Sequence, residues 1–253
     1  MWDRESFEEK VVVITGAGRG VGRASAQGFA SVGARLALLD IDEQRLNQTS
    51  EELTRTGTEV LAIPGDVADP GYCVESIEHI AKALGGIDVL CNIAGIVSFR
   101  AIGDIDPAFW RKHFAVNLDG PFFLSQAALP HLLESNGNIV NVASSAALIG
   151  EAFLVPYAAS KAALVHMTKS MALEHINDSV RINAVAPGAI DTDIMDGQTF
   201  PDNINFDLVS RYTGIRKASS PEEIARFIMY VSSPLASSIH GACLSIDGGI
   251  SAG

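Results

Sequence analysis

The chain has 253 residues, with 18 Lys and Arg against 30 Asp and Glu, a formal net charge of −12. Apolar residues make up 47% and charged residues 19%, which supports a large buried core, excludes a disordered chain and makes nucleic acid an unsuitable partner for so acidic a surface. No apolar run reaches the roughly 18 residues that a membrane span needs, the acidic Met1–Glu9 stretch lacks a signal-peptide core, and Cys73, Cys91 and Cys243 are too few and scattered for a disulfide framework or a metal site, so a cytoplasmic protein with free thiols is expected.

Seven short runs rich in Val, Ile and Leu alternate with segments of helical period. Val11–Thr15 is apolar without alternation, as in a strand covered on both faces. It leads through Thr15-Gly16-Ala17-Gly18-Arg19-Gly20-Val21-Gly22 into a helix near 20–33. Strand 35–40, helix 42–56, strand 59–63, helix 70–84 and strand 87–91 follow. Asp106-Pro107 places a capping residue and a first-turn proline before a helix predicted near 107–134. Strand 138–142, a helix near 157–177 and strand 181–186 come next, then Pro187-Gly188. The stretch 189–217 fits no element and reads as a substrate-binding flap. Ser220-Pro221-Glu222-Glu223 opens a helix at 221–232, and the last strand is predicted at 242–246. This alternation predicts an α/β fold of Rossmann type. It is a doubly wound parallel seven-stranded sheet with helices on both faces, in a single domain spanning 1–253.

The glycine loop suits a dinucleotide. Glycines permit a sharp turn and close approach to a pyrophosphate, whose charge sits at the N-terminus of the following helix. The spacing is G-x-x-x-G-x-G through Gly16, Gly20 and Gly22, not G-x-G-x-x-G, because position 21 is Val and position 23 is Arg. Asp40 stands 18 residues past Gly22, at the end of the second strand, where a carboxylate can accept from both adenine-ribose hydroxyls. It would repel a 2′-phosphate, which favours NAD over NADP. Arg19 acts the other way, since a loop cation can pair with that phosphate.

Tyr157 and Lys161 lie at i and i+4 on one helix face, and Ser144 stands 13 residues before Tyr157, just past a strand end. Asn117 falls inside the preceding helix between apolar neighbours. Singly these are ambiguous. Taken together and in order, the Thr15–Gly22 loop, Asp66-Val67, Asn92-Ile93-Ala94-Gly95, Asn117, Ser144, Tyr157, Lys161, Pro187-Gly188 with Thr192, and Asp247-Gly248-Gly249 cover essentially the whole chain. In this the sequence resembles the short-chain dehydrogenase/reductases, specifically their single-domain branch.

The resemblance implies hydride transfer between a nicotinamide cofactor and a secondary alcohol or ketone. Tyr157 would be the acid/base, Lys161 would lower its pKa and hold the nicotinamide ribose, Ser144 would polarise the substrate oxygen, and Asn117 would hold a proton-relay water. Cofactor contacts would come from Gly16, Arg19, Gly20, Val21, Gly22, Asp40, Ile41, Asp66, Val67, Asn92, Ala94, Gly95, Tyr157, Lys161, Pro187, Gly188, Ile190 and Thr192. Asn92 equally suits a bond between strands that braces the sheet.

The substrate pocket is expected around Val97, Phe99, Ser144, Phe153, Leu154, Tyr157 and the flap residues Ile194 and Met195, with Phe200, Phe206 and Leu208 beyond them. Without clustered Arg or Lys there, a neutral, largely apolar or cyclic, even steroid-like, alcohol or ketone fits. The six histidines share no ligand spacing; they read as surface or satisfied residues, and no metal is expected. A homotetramer is implied by the resemblance, packed through the small residues of 158–172 and the helix near 107–134. The runner-up is an NADPH-dependent 3-oxoacyl-(acyl-carrier-protein) reductase, disfavoured by the acidic surface and by Asp40. A non-catalytic dinucleotide sensor is the remote alternative, disfavoured because all four catalytic positions are filled.

Overall fold

The computed structural model describes residues 6–192, 200–202, 204–213 and 216–252. Seven strands, β1 (Val11–Thr15), β2 (Arg35–Asp40), β3 (Val60–Pro64), β4 (Val89–Asn92), β5 (Asn138–Val142), β6 (Arg181–Pro187) and β7 (Cys243–Ile246), form one sheet in the order β3-β2-β1-β4-β5-β6-β7. Every pairing is parallel.

Val11–Ile14 of β1 and Leu36–Leu39 of β2 are apolar at every position because alternate side chains meet different helical layers. On one face Val12, Ile14, Leu36 and Leu38 pack with Phe29 of α1 (Gly20–Ser31), with Leu46 and Leu53 of α2 (Glu43–Arg55), and with Ile224 and Ile228 of α8 (Pro221–Ser232). On the other, Val11, Val13, Ala37 and Leu39 meet Ile77 and Ile80 of α3 (Pro70–Leu84) and Leu124, Ala128 and Leu132 of α5 (Gly120–Ser135). Each fully buried Leu or Ile contributes about 1.5–3 kcal/mol of transfer free energy, so the two layers fix the strand register.

The strand order reverses between β1 and β4. There the crossovers run in opposite directions and leave a crevice above the carboxyl ends of these strands.

Three expectations are refined. The helix foreseen near 107–134 is α4 (Pro107–Phe114), a π-helical segment (Ala115–Asp119) and α5. The side chain of Asp106 caps α4 by accepting from the Phe109 amide at 2.8 Å. The wide turn ends at Gly120, where a β-carbon would lie 2.7 Å from the Val67 carbonyl oxygen, so α5 can only start this close to the Asp66-Val67 turn with glycine there. The helix expected near 157–177 is α6 (Val155–Glu174), which starts earlier because Pro156 suits a first turn. Within the flap, α7 (Phe206–Val209) is capped by Asn205, whose side chain accepts from the Asp207 amide at 2.9 Å, and a 3₁₀ turn (Ser210–Tyr212) follows. Ile194 and Met195 lie outside the described residues. Among the described residues no helix is long and apolar enough to cross a membrane.

Candidate active site

The crevice floor is built from backbone. Gly16 (φ +68°) and Gly20 (φ +51°) adopt left-handed conformations that other residues rarely take. A β-carbon at Gly22 would stand 1.9 Å from the Gly16 carbonyl oxygen, and one at Gly16 would stand 3.0 Å from Ala94 Cα. The hydroxyl of Thr15 accepts from the amides of Ile93 and Ala94, each at 2.9 Å, and ties the loop to the end of β4. Gly22→Ala is therefore expected to destabilise the fold by about 1–3 kcal/mol, because its methyl meets rigid backbone. Thermal melting checks this; an unchanged midpoint would show that the loop can relax.

Asp40 faces this loop. Its Oδ2 accepts from the Gly18 amide at 2.8 Å and its Oδ1 from the Asp42 amide at 2.9 Å. Ile41 beside it is 69% exposed, an apolar surface able to pack against a flat ring. Arg19 is exposed at the N-terminus of α1. Across the crevice, the methyl of Thr192 lies 3.4 Å from where a Gly20 β-carbon would be, so the segment after Pro187-Gly188 roofs the glycine loop. Gly188 is needed because a β-carbon there would approach Asp247 Cα to 2.9 Å. Val67 is buried, and Asp66 accepts from the Ala68 amide at 2.9 Å. A cradle of amides at a helix N-terminus, a carboxylate at the end of β2 and an exposed apolar side chain next to it fit a dinucleotide.

Asn92 is fully engaged in bracing on its donor side. Its Nδ2 donates to Asn141 Oδ1 at 2.8 Å and to Ser125 Oγ at 3.2 Å, and Asn141 Nδ2 donates to Thr168 at 2.9 Å. The chain links β4, β5, α5 and α6. Asn92 Oδ1 is buried and has no hydrogen-bond partner among the described residues. The bracing partners Asn141, Ser125 and Thr168 were not singled out from sequence. The available signal was a polar residue in the fully buried run of β5, paired in register with Asn92.

The four catalytic candidates converge. Lys161 is 3% exposed and donates to the carbonyl of Val142, at the end of β5, at 2.7 Å. With no carboxylate beside it, burial pushes its amine down to about 8. Gly95 leaves room for it: a β-carbon there would lie 3.3 Å from Lys161 Nζ and 3.2 Å from Asn117 Oδ1. Asn117 is completely buried in the π turn. Its Oδ1 accepts from the Ile96 amide at 2.9 Å, and its Nδ2 donates to the Ile96 carbonyl at 3.0 Å and to Ser160 Oγ at 3.1 Å. Its carboxamide thus clamps the turn after Gly95 to α6. Ser144 caps a 3₁₀ turn, accepting from the Ala146 amide at 3.2 Å, and its hydroxyl lies on the side of the Tyr157 phenol, where it favours the phenolate. Burial pushes that phenol up to about 12 against the opposing effect of Ser144.

Over Tyr157 lies an apolar cluster of Phe99, Leu154, Val209 and Tyr212, joined by Val97 and Phe153. Phe99 packs against Phe200 with ring centroids 4.9 Å apart, and Phe200 against Phe206 at 5.8 Å. Phe153 is held at φ +67°, a strained conformation for an aromatic residue, while its carbonyl accepts from the Arg100 amide at 2.8 Å. Of the expected pocket residues, Val97, Phe99, Phe153, Leu154, Tyr157, Phe200 and Phe206 are therefore together, while Leu208 is exposed. One half-buried acid in the loop before Tyr157 went unnoticed in the sequence: Glu151, whose Oε1 accepts from Ser145 Oγ at 3.2 Å. A lone acid in a loop carries no spacing signal.

The reading of the histidines needs one correction. His113 is 1% exposed, and its Nε2 is buried without a hydrogen-bond partner among the described residues, so it is neither a surface residue nor fully satisfied. Its Nδ1 pairs with the Phe109 carbonyl at 2.9 Å one helical turn earlier, and burial lowers its pKa.

Comparison with known proteins agrees with this geometry. A family profile described as enoyl-(acyl carrier protein) reductase, of the short-chain alcohol dehydrogenase group, matches residues 16–251. Meso-2,3-butanediol dehydrogenase of Serratia marcescens is 37% identical over 97% of this chain and 96% of its own. A short-chain dehydrogenase from Mycobacterium paratuberculosis bound to NAD superposes with a TM-score of 0.90 at 25% identity, over 98% of this chain and 100% of that one. One from Burkholderia cenocepacia J2315 in complex with NADP gives 0.87 at 31% identity, over 97% and 99%. With the profile spanning nearly the whole chain and the crevice, glycine loop and buried lysine in place, the protein belongs to the short-chain dehydrogenase/reductase family of oxidoreductases.

Proposed function

We propose that the protein interconverts a secondary alcohol and a ketone with NAD(H), acting on a neutral, largely apolar or cyclic substrate. The observation that carries this is the Tyr157 phenol, beside Ser144 and set one helical turn from the buried amine of Lys161. The nicotinamide ring of the bound cofactor supplies or accepts the hydride. In the reducing direction Tyr157 gives its proton to the carbonyl oxygen while Ser144 donates a hydrogen bond to the same oxygen. In the oxidising direction the phenolate takes the hydroxyl proton, and a cation must bring the phenol down from about 12 for this to occur near neutral pH. Lys161 is that cation, and it also anchors the nicotinamide ribose. Asn117 has committed its carboxamide to Ile96 and Ser160, so a relay water at this position falls to the main chain of the π turn.

Asp40 selects NAD. At the end of β2, beside the glycine loop, its carboxylate would accept from the adenine ribose hydroxyls and would repel a 2′-phosphate. Asp40→Arg is expected to shift the NADP-to-NAD ratio of kcat/KM by about 10–100-fold toward NADP, since a charge-assisted bond replaces a repulsion. NAD turnover should also fall, because the Gly18 amide loses its acceptor. Steady-state rates with both cofactors check this; an unchanged ratio would pass selectivity to Arg19 or the loop. Association into a tetramer through α4, α5 and α6 belongs to the same reading, supported by exposed Trp110 and Phe122 at 39% and Leu173 at 72%.

A further inference from the structure

We propose that His113 is an acid-sensitive latch: its neutral imidazole holds α4 against the body of the protein, and uptake of a proton at Nε2 releases that helix together with the π turn that carries Asn117. This goes beyond the reading above, and its first readout needs no turnover.

The helix α4 has a single anchor. Of its eight residues His113 alone is buried, at 1% exposed; Phe109 and Phe114 are half-buried and the other five are exposed. A buried anchor is ordinarily aliphatic. This one titrates.

The tautomer follows from its one bond. A carbonyl can only accept, so Nδ1 carries the hydrogen that His113 donates to the Phe109 carbonyl at 2.9 Å. Nε2 is therefore the bare nitrogen, where an added proton must go. It is buried and has no hydrogen-bond partner among the described residues. Protonation places both a charge and an N–H donor where nothing receives them.

The surroundings add to that cost. The charges that reach the ring are both positive: Lys112 beside it in α4 and Arg100 in the loop before. The guanidinium of Arg100 stands 4.0 Å over the Phe109 ring, whose centroid lies 4.6 Å from that of the imidazole. The carboxylate of Asp106 is committed to the Phe109 amide at 2.8 Å and to Arg100 at 3.4 Å. On α6, against which α4 packs, Lys161 is turned to the Val142 carbonyl, His166 is exposed, and the one carboxylate, Glu174, is the exposed last residue. In the π turn Asp119 is exposed as well. Burial, aided by the two cations, holds the imidazole below its ordinary range.

The released helix consequently takes up the proton first. Docking is insensitive to pH well above the ordinary histidine value of 6.5, and weakens about tenfold per pH unit below it until the docked ring itself protonates. The helix runs without a break into Ala115–Asp119, where Asn117 ties Ile96 to Ser160 of α6. Releasing α4 loosens that clamp beside Lys161, so activity falls with it.

The test is hydrogen exchange by mass spectrometry on the whole protein at pH 7.5, 6.5 and 5.5, corrected for the intrinsic exchange rate, in the wild type, His113→Leu and His113→Gln. From pH 7.5 to 5.5 the wild-type segment 107–114 is expected to lose about tenfold in protection relative to β1, and the Leu variant none. His113→Gln, which is polar but does not titrate, should match the Leu variant and serves if that one does not fold. With cyclohexanol and NAD, kcat/KM of His113→Leu relative to wild type, set to one at pH 7.5, should rise about threefold or more by pH 5.5. Wild-type protection of α4 that tracks β1 across the range, or an equal loss in the variants, overturns the latch, and a flat kcat/KM ratio overturns its hold on the active site. No turnover of any secondary alcohol beside the expected exchange pattern overturns the oxidoreductase reading and leaves the latch standing.

Discussion

Tyr157→Phe is expected to lower kcat/KM by about 10²–10⁴-fold, the usual contribution of a positioned acid–base group, while NADH binding is retained. The phenol is the titratable group beside Ser144, and neither Ser144 nor Lys161 can take over its proton. The hydroxyl of Ser144 is a far weaker acid, and Lys161 is turned toward the Val142 carbonyl at 2.7 Å. Removing one oxygen leaves the ring in its apolar cluster with Leu154 and Phe153, so the cradle for the dinucleotide is undisturbed. Rates followed by nicotinamide absorbance, beside NADH titrations by fluorescence, check both halves. Turnover near the wild-type rate would remove Tyr157 from the mechanism.

Lys161→Met is expected to do two opposite things. Activity should fall about 10²-fold or more, because the phenol then keeps its raised pKa at working pH and the cofactor ribose loses an anchor. Stability at pH 7 should rise. The amine titrates at about 8 in the fold against an ordinary 10.5, a difference worth roughly 3 kcal/mol. The sign follows from proton uptake. Above 10.5 the amine is neutral in both states, and between 10.5 and 8 the unfolded chain is protonated while the fold is not. The wild type therefore loses stability as pH falls through that window, and carries the full penalty below 8. Methionine avoids the penalty, offset by about 1 kcal/mol for the Val142 carbonyl left without its donor. Melting from pH 7 to 10.5 should show the variant ahead at neutrality and the gap closing upward. A variant less stable than wild type at pH 7 would show that the buried lysine is compensated by bonds beyond the Val142 carbonyl.

Much of this was legible because the fold is a repeat of one pattern. Runs such as Val11-Val12-Val13-Ile14 are apolar at every position, which only a strand covered on both faces tolerates, and six crossovers leave little freedom in topology. The glycines at 16, 20 and 22 were legible for a related reason: their backbone conformations or contacts admit nothing larger. The tetrad needed the family resemblance, since Tyr157 and Lys161 at helical spacing mean nothing alone.

What escaped the sequence depends on chain segments meeting from far apart. The π turn that buries Asn117 has no local signature; it arises where Gly120 packs on Val67 and Asn117 on Ile96. The Asn92–Asn141–Thr168 chain joins residues of three separate elements. Glu151 looks like any loop acid until its bond to Ser145, six residues earlier, is seen. The six histidines share no spacing, so nothing in the sequence singles out His113, yet its helix turns that ring inward.

The most direct test of the account is nicotinamide absorbance while the protein is offered secondary alcohols and ketones, aliphatic, cyclic and steroidal, with NAD(H) and NADP(H) in parallel. The account predicts turnover of neutral alcohols or ketones with NAD(H) well above NADP(H). Silence across the panel from a protein that binds NADH, or turnover confined to acyl-thioesters with NADPH, would contradict it.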